Sequence, residues 1–150
     1  MFSNKVAYAI RCLVYLSSRS EPVLIRNISD DTGMPRPFLA KIINTLTRKG
    51  FLHSQRGIGG GISLLKKPDQ ISICDICIAL DDPLLDDRCI VGLPDCSAEN
   101  ACAFHAFWSK QKEKIIKFLS KNTIATLAMT NKRAKKDLIK EVKFRNIVSE

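Results

Sequence analysis

Apolar residues recur at helical spacing between Ser3 and Ser18, at Val6, Ile10, Leu13, Val14 and Leu16, with Ser3 or Asn4 placed to cap the first turn. A shorter pattern from Ile25 to Thr32 predicts a second helix, stopped by Gly33, where a left-handed residue costs little. Met34 then leads into Pro35, Arg36 and Pro37, which suit the first turn of a third helix because its leading N–H groups have no internal partner. That helix runs to Lys49 and stops at Gly50. Phe38, Leu39, Ile42, Ile43 and Leu46 form its apolar stripe, while Arg36, Ala40, Lys41, Asn44, Thr45 and Arg48 make the opposite face polar and basic. Two short helices about a glycine turn predict a helix-turn-helix, a unit whose second helix enters the major groove of DNA.

Phe51 to Gln55 and Ile62 to Leu65 read as two strands around the tip Arg56-Gly57-Ile58-Gly59-Gly60-Gly61. Glycine-rich loops also cradle nucleotide phosphates, but here no helix follows at once and no Lys-Ser/Thr pair is present. A wing fits better: glycines such as Gly59 let backbone N–H groups approach DNA phosphates closely, and Arg56 is able to reach into a minor groove. His53, without a partner cluster, is expected on the surface or in packing.

Ser72 and Asp75 give a capping box for a helix over Ile73 to Leu80, ended by Pro83. Residues 82–100 lack periodicity and contain Pro83, Gly92 and Pro94, as an irregular loop does. From about Ala101 to Lys121, Phe104, Trp108, Ile115, Ile116, Phe118 and Leu119 mark a long amphipathic helix, whose aromatic side calls for a covering surface such as a second subunit. Asn122 to Met129 reads as a further short helix, and residues 130–150 as a basic tail, either a solvated end or a DNA-contacting arm. The expected fold class is mainly α with a small β-hairpin wing. Its parts are a winged helix-turn-helix over 1–81, a cysteine-containing loop over 82–103, a dimerisation helix region over 101–129, and the tail over 130–150.

The 150 residues suit one compact domain with an appended arm, and their formal net charge of +9 favours a polyanionic partner. The distribution says more than the total. Residues 1–68 carry a net +8, residues 69–100 a net −7 and residues 110–150 a net +8, and the acidic segment holds four of the six cysteines. No apolar run approaches the ~18 residues of a membrane-spanning helix, and no export signal is evident, so a cytoplasmic protein without a membrane partner is expected. In that setting the cysteines are reduced thiols or metal ligands rather than a disulfide framework.

Cys89, Cys96 and Cys102 are separated by six and five residues, the first two in the irregular loop and the third at the start of the long helix. His105, three residues beyond Cys102, is expected on the same helical face. Thiolates among Asp81, Asp82, Asp86, Asp87, Asp95 and Glu99 repel one another without a cation. Three thiolates and a histidine satisfy either a closed zinc site or an iron-sulfur cluster, and spacing does not choose; free thiols beside a histidine are the plain alternative. Cys74 and Cys77 have thioredoxin-like spacing but fall in the apolar rhythm of Ile73, Ile76 and Leu80, which favours packing over a small thiol redox enzyme. Cys12 is also expected in the core.

Lys5 to Ile10 (KVAYAI), Gly33 to Leu39 (GMPRPFL), Leu46 to Leu52 (LTRKGFL), Arg56 to Gly61 (RGIGGG) and Cys102 to Trp108 (CAFHAFW) resemble the Rrf family of winged-helix transcriptional regulators, of the IscR- and NsrR-like kind, over about residues 1–130. The resemblance implies a homodimeric, non-enzymatic regulator that binds a pseudo-palindromic operator in double-stranded DNA and carries one iron-sulfur cluster, 2Fe-2S or 4Fe-4S, per subunit. By position it implies Arg56 as the wing arginine, recognition-helix contacts at Pro35, Pro37, Ala40 and Lys41, and cluster thiolates at Cys89, Cys96 and Cys102. One branch takes its fourth ligand three residues after the last cysteine, at His105 here; the other uses a helix-one aspartate, where this chain has Ala7. Iron-sulfur status, nitric oxide and redox state are the signals such a regulator senses, with zinc or bare thiols as the alternative sensor. The chain departs from the IscR branch in a longer first cysteine gap and in Ala40 at a recognition glutamate, which implies a different operator.

Overall fold

In the computed structural model, which describes residues 2–85, 91–92, 97 and 99–130, the first helix, α1 (Asn4–Leu16), starts under Ser3, whose Oγ accepts from the Val6 amide. Cysteines 89 and 96 and the tail from residue 131 lie outside the described residues. Helix α1 is more than amphipathic. Val6 and the run from Ala9 to Leu16 are buried, so the helix forms the axle of the core rather than one wall of it. Helices α2 (Ile25–Thr32) and α3 (Arg36–Arg48) pack against it and against each other.

The turn between α2 and α3 is built as the sequence predicts. Gly33 is left-handed at φ 74°, and its amide donates to Ser29 O at 2.8 Å. Ser29 Oγ donates to Met34 O at 2.6 Å and Thr32 Oγ1 donates to Ile28 O, which ties the turn to the helix before it. Pro35 caps α3 with extended backbone. Leu39, Ile42, Ile43 and Leu46 are buried, and half-buried Phe38 meets Tyr8 of α1 edge-on, with ring centroids 5.2 Å apart. These contacts fix the orientation of α3 on the body.

Strands β1 (Leu52–Gln55) and β2 (Gly61–Leu64) pair antiparallel from Leu52↔Leu64 to Gln55↔Gly61. The pairing has an addition that the pattern did not suggest: Val23 bridges to Ile62, each amide donating to the other's carbonyl at 2.9 and 2.8 Å. The tip end of β2 is thus held to the α1–α2 connection.

Helix α4 (Ile73–Ala79) has the expected capping box, with Ser72 and Asp75 each accepting the other's amide. It ends at Leu80 because Asp81 turns left-handed, φ 50°, ahead of Pro83. Helix α5 (His105–Lys121) begins later than expected: residues 101–104 form a turn with no capping side chain. Helix α6 (Ile124–Ala128) has its own capping box at Thr123 and Thr126. The starts of α4 and α6 are joined, Ile73 N donating to Asn122 O and Ile124 N to Ile71 O, both at 2.9 Å. This junction returns the end of α5 to the winged body. Among the described residues no helix is long and apolar enough to cross a membrane.

Candidate nucleic-acid interface and cysteine segment

Burying one stripe of α3 leaves Arg36, Lys41, Asn44 and Arg48 exposed, with Ala40 and Thr45 half-buried between them. Lys41, Asn44, Thr45, Thr47 and Arg48 line a cleft of about 580 Å³ whose far side is Ser54 of β1. Helix and hairpin therefore share one polar, basic surface. Sequence reasoning missed Ser54, because strand residues there give no clue to what they face. It also missed a partner of Arg36: Asp30 of α2 accepts from Arg36 Nη2 at 2.9 Å, both side chains exposed. A pair this exposed is worth about 0–1 kcal/mol, enough to orient the guanidinium without sequestering it. Pro35 and Pro37 stand exposed at the start of the same helix.

Arg56, Gly57, Ile58 and Gly59 form the exposed tip of the hairpin. On its other side, toward the α1–α2 connection, lies a second cleft of about 970 Å³ that includes Tyr15, Arg19, Glu21, Asp30 and Asp31. Tyr15 Oη donates to Asp31 at 2.5 Å beneath the Arg19 guanidinium, 4.5 Å above the tyrosine ring; burial, then this hydrogen bond, raises the phenol above its ordinary value. His53 is exposed on β1 opposite Ser63.

Cys12, Cys74 and Cys77 are buried free thiols. Burial pushes Cys12 up to about 12, and burial with nearby Asp82 and Cys74 pushes Cys77 up to about 12. At neutral pH such thiols pack and do not react. Cys102 is different, being half-buried beside the surface. It does not share a helical face with His105, as the sequence predicts, since it precedes α5; instead its carbonyl accepts from the His105 amide at 3.0 Å, closing a single turn. His105 is half-buried at the first position of α5. Cys89 and Cys96 fall outside the described residues, and among the described ones no group of three or more His, Cys, Asp or Glu is placed to hold a metal.

One of the acids expected beside the thiolates has other work. Asp82 is buried and accepts from Ser3 N at 2.9 Å, Ser3 Oγ at 2.7 Å and Leu84 N at 2.9 Å. Burial opposes its ionisation, but the Ser3 and Leu84 hydrogen bonds outweigh that and hold its carboxyl below the ordinary value. Asp82 thus fastens the start of the cysteine segment to the first turn of α1.

A helix-turn-helix on a buried axle, with a two-stranded wing beside its second helix, defines a winged-helix transcriptional regulator. The chain belongs to the Rrf2 family, described as iron-dependent transcriptional regulators, whose model matches residues 2–130. It is 37% identical over 130 residues to an HTH-type transcriptional regulator of Aquifex aeolicus (strain VF5), covering 85% of this chain and 90% of that one. To the HTH-type transcriptional regulator IscR of Cronobacter sakazakii (strain ATCC BAA-894) it is 31% identical over 127 residues, 83% of this chain and 78% of the relative. Among solved structures, T. potens IscR matches with a TM-score of 0.65 at 26% identity, covering 83% of each chain. CymR (YrzC), the global cysteine regulator of B. subtilis, matches with a TM-score of 0.71 over 85% of this chain and 95% of that one; its 22% identity shows a common fold.

Proposed function

We propose that this Rrf2-family regulator binds a pseudo-palindromic operator as a homodimer and adjusts that binding through an iron-sulfur cluster held by Cys89, Cys96, Cys102 and His105. The observation that carries the reading is the double attachment of the cysteine segment to the DNA-reading body. It leaves that body at Asp82, fastened to α1, and rejoins it through α5, whose end is bonded to the start of α4. A change in the segment is thereby passed to the helix against which α3 packs.

On the DNA side, α3 enters the major groove with Pro35, Arg36, Pro37 and Lys41 leading, while Arg56 reaches the minor groove and the Gly59 backbone a phosphate. The cleft between α3 and Ser54 receives the sugar-phosphate backbone between them. In the cysteine segment, Cys102 and His105 fit a cluster by donor chemistry, a thiol and an imidazole one turn apart and both partly open to solvent. When bound, the cluster supplies a centre whose charge and ligation respond to oxidants, nitric oxide or iron supply. The chain's own part is to hold Cys102 and His105 together at the entry to α5 and to keep the thiols of Cys12, Cys74 and Cys77 out of reach in the core.

Anaerobic purification tests the sensor, and selection from a randomised duplex library with the wild-type protein tests the DNA reading. Brown protein with acid-labile sulfide, losing both in Cys102→Ala, is expected. Colourless protein containing zinc, or no metal, transfers sensing to zinc or bare thiols. Failure to enrich any duplex removes the operator reading.

A further inference from the structure

Ile58 is the most exposed of the large apolar side chains among the described residues, at 109% of its reference area. A single exposed isoleucine on a broad surface is ordinary; its placement here is not. Gly57 and Gly59 on either side have φ of 102° and 75°, and Gly60 N donates to Gly57 O at 3.0 Å, so the turn closes with Ile58 at its apex. Where the turn passes into β2, Ile62 is bonded to Val23, and a Cβ on Gly61 would stand 2.9 Å from the Val23 backbone. The result is a prong fixed at its root that offers a guanidinium and a branched apolar side chain two residues apart.

That combination matches one surface. Phosphates attract Arg56 but gain nothing from isoleucine. A protein partner needs a patch of many residues rather than a point. The minor groove of duplex DNA takes both, because arginine is drawn to its floor and apolar side chains pry open its base steps. We propose that Ile58 is a specificity-determining wedge that enters the minor groove beside Arg56 and favours operators with an easily unstacked pyrimidine–purine step at that point. The proposal rests on the wing being a DNA contact, as argued above.

The probe is the duplex most enriched from a randomised library by wild-type protein, with dyes at its ends to report bending. Ile58→Ser is expected to weaken binding about tenfold, the effect of losing a partly buried isoleucine. It should also straighten the duplex and leave the dependence of affinity on salt unchanged, since it displaces no counterion. Ile58→Leu restores affinity and bend, whereas Arg56→Ala weakens binding and reduces the salt dependence. If Ile58→Ser binds and bends like wild type while Arg56→Ala is weakened, the wedge is wrong and the wing contact stands. If neither variant weakens binding, the wing assignment itself fails and the wedge with it.

Discussion

Asp82 shows what a single residue contributes that its neighbours in sequence do not reveal. Counted along the chain, it belongs to a run of acids beside cysteines; in the structure it is 4% exposed and bonded to a serine 79 positions away. No local pattern encodes a contact of that range, whereas Ser72 with Asp75, three residues apart, is legible at once. Asp82→Asn places an amide NH₂ against one of the donors of Ser3 or Leu84 and is expected to cost about 1.5–3 kcal/mol in urea unfolding at neutral pH. Because the carboxyl is held below its ordinary 3.8, its contribution is complete above that value and disappears as the pH falls through the lowered folded one. The stability gap between wild type and Asp82→Asn should therefore be constant above about pH 5 and close in acid. A gap that widens in acid contradicts the assignment.

Elements were legible where a side chain punctuates them and obscure where only the backbone does. Ser3, Gly33 and the Ser72–Asp75 box mark helix ends through hydrogen bonds that span one turn, and the structure places those ends accordingly. The apolar rhythm of α5 continues back through Phe104 and so predicts an earlier start, whereas the backbone first closes a separate turn from Cys102 to His105. The Val23–Ile62 bridge was invisible, since one extended residue has no period. Its importance to the wing is testable at Gly61, where an added Cβ collides with rigid backbone. Gly61→Ala is expected to destabilise the protein by about 1–3 kcal/mol, read from thermal or urea unfolding, and to loosen the hairpin from the body. Unchanged stability with wild-type amide protection at Ile62 would show that the hairpin does not depend on this contact.

At the scale of the whole molecule, the alternation of basic, acidic and basic segments set the helix-turn-helix and wing, net basic, apart from the acidic stretch that holds four of the six cysteines. It could not show how the two are joined, because the connections run through Asp82 and the α4–α6 junction. Nor does one chain complete the proposed dimer. Of α5 only Leu119 is fully buried, while Phe107 and Phe118, three helical turns apart on one side, are 66% and 63% exposed. In the proposed dimer these aromatic side chains are covered by the same stripe of a second copy, which a two-fold axis presents identically on both subunits. Phe107→Glu sets two like charges into that interface without touching Leu119, Ile115 or Ile116, so the fold should survive. Sedimentation should show a dimer for wild type and a monomer for the variant. Operator affinity should fall by about 100-fold or more, since two half-sites are no longer bound as one ligand, while non-specific binding persists. A variant that remains dimeric would place the subunit contact elsewhere than on α5. One that is monomeric yet binds the operator undiminished would show that each chain reads its half-site alone.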